Sequence, residues 1–336
     1  MPEAAALTYK VRQSVTLSDI PAGAKNVKLW VAIPQDDRFQ EVLDFSVKSS
    51  PGVWSIVREP DHGNRFMLID VASPGASSLT TQLEFLLRRQ SVFVKIDPAK
   101  VGPLTETHRR MFKDELRQDA PHMEVTPAVA KMANDACGAE SNLAVQAKLL
   151  LNTVADYADH YSKDPSKPKC GLGDARDCMT NAGGCCTDMH SMFIALARAR
   201  GIPTRLQMGY RLREINEGKD VDAGYRCWAE YFAPGYGWVP ADIVEADDPK
   251  GLGRTRWFSG LTVRRLWLNE GREFSLAGRA VTDHRVNTMI IGYAEIDGVE
   301  ARVLPDDGKP AQLSRSIWFT EVKGAETADV ASLAKP

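Results

Sequence analysis

Charge of one sign is in short supply in this chain of 336 residues: 42 Lys and Arg stand against 44 Asp and Glu, a formal net charge of -2. That balance argues against a nucleic-acid-binding surface, which needs a concentrated positive field. Long apolar runs are missing too. No stretch reaches the twenty or so residues that span a bilayer, so no membrane partner is expected. The first residues, Met1-Pro2-Glu3-Ala4-Ala5-Ala6, carry neither a basic segment nor an apolar segment of the kind that directs export. A cytoplasmic protein is expected, unless an export signal has been removed. Cysteine is sparse, six in all at positions 137, 170, 178, 185, 186 and 227. This is far from the density of a disulfide-stapled mini-domain. If the protein is exported, Cys170 and Cys178 could pair, since they share one loop. There is no Cys-x-x-Cys pair, so zinc-type ligation has little sequence support, and no cofactor is expected. Internal repeats and low-complexity tracts are also missing. What remains is an ordinary globular composition, 43% hydrophobic and 26% charged, long enough for two or three cored domains.

The first hundred residues read as β-structure. Tyr9, Val11, Val15 and Leu17 alternate with polar residues, as do Val27, Leu29, Val31 and Ile33, and Leu79 through Leu87. Pro and Gly turns separate these runs, which predicts an N-terminal β-sandwich over residues 1–98. The pattern then changes to helical. Thr105–Leu116, Thr126–Ala136 and Asn142–Tyr161 are predicted helices, with Leu143, Val145, Leu149, Leu150 and Val154 as the apolar face of the last. A loop from Ser162 to Gly184 leads to another helix, with a buried stripe of Met189, Phe193, Leu196 and Met192. Arg205–Leu212, Arg226–Ala233 and Trp238–Ile243 read as strands, which closes an α+β core over residues 99–250. Further β-structure is predicted over 251–325 as a C-terminal extension, and 326–336 as a disordered tail.

Chemistry concentrates at Gly184-Cys185-Cys186-Thr187-Asp188-Met189-His190. Here a turn meets a helix start. Backbone N–H groups at a helix N-terminus carry partial positive charge and favour a thiolate, the nucleophilic form of cysteine. Cys186 is therefore the candidate nucleophile, weighed against a buried structural thiol. Cys185 is assigned to packing. The second cluster is Tyr225-Arg226-Cys227-Trp228-Ala229-Glu230, followed by Pro234-Gly235-Tyr236-Gly237-Trp238-Val239-Pro240-Ala241-Asp242.

Together the two segments resemble the transglutaminase-like superfamily of papain-like cysteine enzymes, in its bacterial form. The shared pattern is Gly-x-Cys at the start of a helix that ends in Arg-x-x-Gly-Ile-Pro-x-Arg (here Arg198 to Arg205), a His-x-Trp-x-Glu strand and a Gly-Trp-x-Pro-x-Asp turn. The resemblance implies a papain-like core flanked by β domains, Cys186 as nucleophile, Asp242 as the acid of the site, and an acyl-thioenzyme intermediate. One position departs. Arg226 stands where the family carries its catalytic His.

A guanidinium stays charged and cannot shuttle protons, but as a fixed cation it can lower a nearby thiol's pKa. Arg226 is thus an electrostatic candidate. His190, one helical turn after Cys186, is the candidate alternative base. Trp228, Glu230, Tyr236 and Trp238 are candidates for lining a substrate cleft, against a reading as core aromatics and a surface charge. Arg205 is expected to be an ion-pair partner. The expected function is a cysteine-dependent acyl-transfer enzyme acting on a peptide, protein or small-molecule amide, ester or thioester. The alternatives are a catalytically degenerate binding protein, in which Arg226 marks lost activity, and a metal-thiolate site built on Cys186 and His190.

Overall fold

The computed structural model describes residues 5–169, 171–247, 253–305 and 308–323. Cys170 and the expected tail 326–336 lie outside these residues. The chain divides into two compact units, one made of Met1–Ser91, Met208–Tyr225 and Val263–Pro336, the other of Val92–Gln207 and Arg226–Thr262.

The first unit is built from two antiparallel sheets. In one, the Ala6–Leu17 strand lies between Leu313–Glu321 and Leu79–Gln90, with Gln40–Ser49 beyond the latter. In the other, Asn26–Ala32 pairs with Arg65–Ala72 on one side and Tyr293–Ile296 on the other. The alternating residues named above fill the core between them. Val15, Leu17, Val27, Leu29, Val31, Leu79 and Leu83 form one cluster, completed by Ala294, Ala301 and Leu313 from the C-terminal stretch. The C-terminal β residues thus complete the N-terminal sheets, with Tyr9 opposite Glu321 and Leu17 opposite Leu313. An alternating pattern shows which face of a strand is buried, but not which distant strand becomes its neighbour.

The second unit holds the helices and the candidate site. Thr126 caps Pro127–Cys137 by accepting the Val129 N–H at 3.2 Å, with proline in the first turn. Asn142 caps Leu143–Tyr157 through the N–H groups of Ala144 and Val145. This helix stops at Tyr157, short of the expected Tyr161. Its buried side is Ala144, Gln146, Ala147, Leu150, Leu151, Val154 and Ala155, so the face is rotated from the one expected.

Helix Cys186–Ala199 also differs from expectation. Every residue from Cys186 to Arg198 is buried, not a single stripe. The reason is its central place: Pro127–Cys137, Leu143–Tyr157, Ala175–Asn181 and Ile243–Ala246 all pack on it. Strands Gly237–Ala241, Tyr225–Ala233 and Thr204–Arg211 lie side by side in that order. Among the described residues, no helix is long and apolar enough to cross a membrane.

Candidate active site

Cys186 is the first residue of its helix and is 2% exposed. The turn before it is fixed by Asp188. This carboxylate accepts the N–H of Cys185 at 2.8 Å and of Asp174 at 2.9 Å, which ties the helix start to the loop before it. Cys185 is disulfide-bonded, which corrects its assignment to packing alone. Cys178 is a free, buried thiol, so the Cys170–Cys178 pairing is not formed. Burial and the charge of Asp188 push its pKa up to about 12.

Gly183 and Gly184 form a short parallel bridge with Asp159 and His160. The Asp159 N–H reaches Ala182 O at 3.2 Å, and the Tyr161 N–H reaches Gly184 O at 2.8 Å. Only glycine fits here. A Cβ on Gly183 would sit 2.4 Å from the Asp159 carbonyl oxygen, and one on Gly184 would sit 2.6 Å from the Asp188 carboxylate. This close approach sets His160 opposite Gly184, two residues before Cys186. His160 is itself 2% exposed. Its Nδ1 accepts the Ser162 N–H at 3.2 Å and lies 2.7 Å from Ser162 Oγ.

From the neighbouring strand, the Cys227 thiol is in hydrogen-bond contact with the Cys186 sulfur. Its S–H donates to Thr187 Oγ1 at 3.7 Å, and its Sγ lies 3.4 Å from His190 Nδ1. The Cys186 thiol is held well below its ordinary range. The Cys227 hydrogen bond is the largest influence; burial opposes it, and the His160 hydrogen bond and the Arg226 charge reinforce it. Cys227 moves the other way, well above the ordinary range, through burial and the adjacent Cys186.

His190 does not take the base's position. Its Nδ1 lies 2.6 Å from the Cys186 carbonyl oxygen. A carbonyl only accepts, so Nδ1 carries a proton. Its Nε2 accepts the Ile243 N–H at 3.1 Å. Both nitrogens thus serve the backbone, and the ring pins the helix start to the segment after Asp242. Asp242 is fully buried and caps helix Ile243–Ala246, accepting the Glu245 N–H at 3.1 Å, with the same oxygen 3.7 Å from His190 Nε2. Its hydrogen bond from the Glu245 N–H holds this short helix. Neither ring nitrogen of His190 is spare for metal ligation, and no group of three or more His, Cys, Asp or Glu suited to a metal ion occurs among the described residues.

Residues 130–243 match the family model of the Transglutaminase-like superfamily. They form a transglutaminase-like core.

A protein of Haemophilus influenzae, itself described as uncharacterized, is 25% identical over 323 residues, covering 86% of each chain. A crystal structure from Cytophaga hutchinsonii, described as a candidate cysteine protease, matches with a TM-score of 0.59 at 15% identity, over 95% of this chain and 99% of that one. The α+β core with β-rich flanks agrees with these likenesses.

Several sequence candidates in the transglutaminase-like core have structural contacts. Glu230 is buried and bound by Arg205, with Nη2 at 2.6 Å and Nε at 2.8 Å, and by Gln207 at 3.1 Å. The Arg205 guanidinium stacks over Trp238 at 4.2 Å, and Trp238 packs edge-on to Phe112. Tyr236 accepts the Asp97 N–H at 2.9 Å, and Trp228 is buried. The residues that sequence reasoning missed are His160, Ser162 and Cys227. His160 fell inside the predicted helix that ran to Tyr161. The available signal was the end of the apolar periodicity at Val154.

Proposed function

We propose that this chain is a cysteine-dependent acyl-transfer enzyme in which Cys186 attacks an amide, ester or thioester carbonyl and carries the acyl group as a thioester. The observation that supports this most strongly is a fully buried thiol whose pKa is nevertheless held well below its ordinary range. Burial alone drives a thiol the other way. An environment assembled from a helix N-terminus, a neighbouring thiol, an imidazole and a guanidinium stabilises the thiolate, and poised thiolates mark nucleophilic sites.

In this reading Arg226 acts as a fixed cation at the family's histidine position, and Asp242 caps the helix after it. The substrate is a peptide, a protein or a small acyl donor. The disulfide at Cys185 supports residence in an oxidising compartment, in place of the cytoplasmic expectation.

A second reading, a binding protein that kept the fold after losing activity, draws on Arg226 and on the burial of Cys186. The test is the reaction of the intact chain with p-nitrophenyl acetate, followed by mass analysis. The acyl-transfer reading expects acetyl-Cys186 and a nitrophenolate burst that Cys186→Ala abolishes while the circular dichroism spectrum stays unchanged. Equal release from both proteins would sink it.

A further inference from the structure

We propose that strand Val53–Arg58, at the edge of the first unit, pairs with the same strand of a second copy of this chain, antiparallel about a two-fold axis through Ser55. The inference is independent of the chemistry at Cys186.

The second sheet of this unit runs, in order, Val299–Glu300, Tyr293–Ile296, Asn26–Ala32, Arg65–Ala72 and Val53–Arg58. Its last strand therefore has a neighbour on one side only. An open edge carries a row of N–H and C=O groups ready to pair with another chain. Folds protect such edges with charge, proline, bulges, shortness or a covering segment. Among the described residues, the other edges of the two sheets are protected in these ways. Val299–Glu300 is two residues long. Gln40–Ser49 carries register shifts at Val42/Asp44 and Val47/Ser49. Leu313–Glu321 is covered: the Gly218 N–H donates to Phe319 O at 2.9 Å and the Val221 N–H to Ile317 O at 2.8 Å. Val53–Arg58 has none of these devices. Its register against Arg65–Ala72 is unbroken, it holds no proline, and its first charge is Arg58.

The side chains of this strand are apolar and exposed. Val53 is 80% exposed, and Trp54 and Ile56 are 44% exposed each. Trp54 lies opposite Ile69 and Ile56 opposite Met67, both fully buried in the core between the sheets. Opposed residues share a face, so Trp54 and Ile56 carry the core face out to the open edge. The backbone points the same way. The Glu59 N–H donates to Asn64 O at 2.8 Å, on the side of Arg65–Ala72. Backbone groups alternate sides along a strand, so the N–H and C=O groups of Trp54 and Ile56 face outward.

The occupant is a second copy because the strand complements itself. An axis through Ser55 sets Trp54 opposite Ile56 of the second copy, and Ile56 opposite its Trp54, on the core face. These are the residues whose backbone groups face outward, so each such pair exchanges both of its hydrogen bonds. On the other face Val53 meets Val57 of the second copy, and the small, uncharged Ser55 side chains meet on the axis. Arg58 falls opposite Gly52 of the second copy, which leaves its guanidinium room to reach diagonally to the Trp54 ring there. No like charges are opposed, and a net charge of -2 gives two copies little mutual repulsion. The contact uses the same patch on both copies and closes at a dimer.

The test is sedimentation equilibrium of the full chain. A pairing this short buries less than the roughly 1,200–2,000 Å² of standard complexes, so a dissociation constant of about 1–100 μM is expected. Across that range wild type should pass from 37.0 kDa toward twice that mass. Ser55→Lys opposes two like charges on the axis, at a position exposed in the single chain. It should weaken the dimer about tenfold or more while the circular dichroism spectrum stays unchanged. Ser55→Cys reports the register. Opposed residues outside the hydrogen-bonded pairs have Cα atoms about 4.5 Å apart, within disulfide reach. Mild oxidation should therefore cross-link Ser55→Cys into a covalent dimer, and leave Trp54→Cys and the exposed Ser78→Cys uncross-linked. Wild type that stays at 37.0 kDa throughout would overturn the proposal, and this is the outcome if the strand instead takes an extended peptide of another protein. A dimer that Ser55→Lys does not weaken, or cross-linking of Trp54→Cys in place of Ser55→Cys, would also overturn it.

Discussion

The Cys227 and Cys186 thiols are in hydrogen-bond contact, and this contact does more than any other to hold the Cys186 pKa below its ordinary range. It joins a strand residue to a helix N-terminus across 41 positions of sequence, and it pushes the two thiols in opposite directions: Cys186 below and Cys227 above the ordinary thiol range.

Replacing Cys227 is therefore expected to raise the Cys186 pKa more than any other single change. In Cys227→Ala, the pH midpoint of Cys186 alkylation should rise further than in Arg226→Met, because the hydrogen bond outweighs the guanidinium charge. Cys227→Ser keeps a hydrogen-bonding hydroxyl and should fall between Cys227→Ala and wild type. Iodoacetamide kinetics with peptide mapping gives the order directly; a larger effect from Arg226→Met would reverse this account.

His190 is expected to matter for stability more than for proton transfer. Its loss leaves the Ile243 N–H and the Cys186 carbonyl without their ring partner in a buried setting. An orphaned buried polar group costs about 1–3 kcal/mol. His190→Ala should lower unfolding free energy by roughly 2–4 kcal/mol, and His190→Gln by less, because its amide oxygen can still accept from Ile243. Urea denaturation measures both.

Gly183→Ala probes how His160 is placed. The new Cβ would press on the Asp159 carbonyl, a backbone atom with little freedom to yield. A cost of about 1–3 kcal/mol is expected, with loss of the bridge and a rise in the Cys186 alkylation midpoint as His160 moves away. A stable variant with wild-type alkylation would show that the bridge does not set the site.

The depressed thiol also links stability to pH. Folding favours the thiolate, so the folded chain binds fewer protons than the unfolded chain between the lowered pKa and the ordinary value of about 8.5. Stability should rise with pH across that window, and the contribution is lost as pH falls through the folded pKa. Urea unfolding of wild type and Cys186→Ala at pH 5 to 8 should give curves whose difference grows with pH; a constant difference would contradict the lowered pKa.

Thiol labelling tests the cysteine assignments. Without reductant, in denaturant, Cys137, Cys178, Cys186 and Cys227 should label and Cys185 should not. In the folded protein Cys178 should stay inert, with its pKa near 12.

Much of this molecule was legible in the sequence because short-range physics wrote it there. Alternation from Tyr9 to Leu17 marks a half-buried strand, Thr126 and Asn142 mark helix starts, and Gly184-Cys185-Cys186 places a thiol at a helix N-terminus. These depend on neighbours within a turn or a pleat, so the local pattern suffices. Cys186 and its resemblance to a transglutaminase-like core follow from the same kind of information.

Tertiary structure alone decided which groups meet that thiol. His190, one turn away, is adjacent in sequence but has its nitrogens spent on backbone partners, one of them the Ile243 N–H from across the fold. His160 is 26 residues from Cys186 and lies opposite Gly184 only because two glycines let strands approach more closely than any side chain allows. Hydrogen-bond partners and burial depend on packing between distant segments, and no local periodicity encodes them.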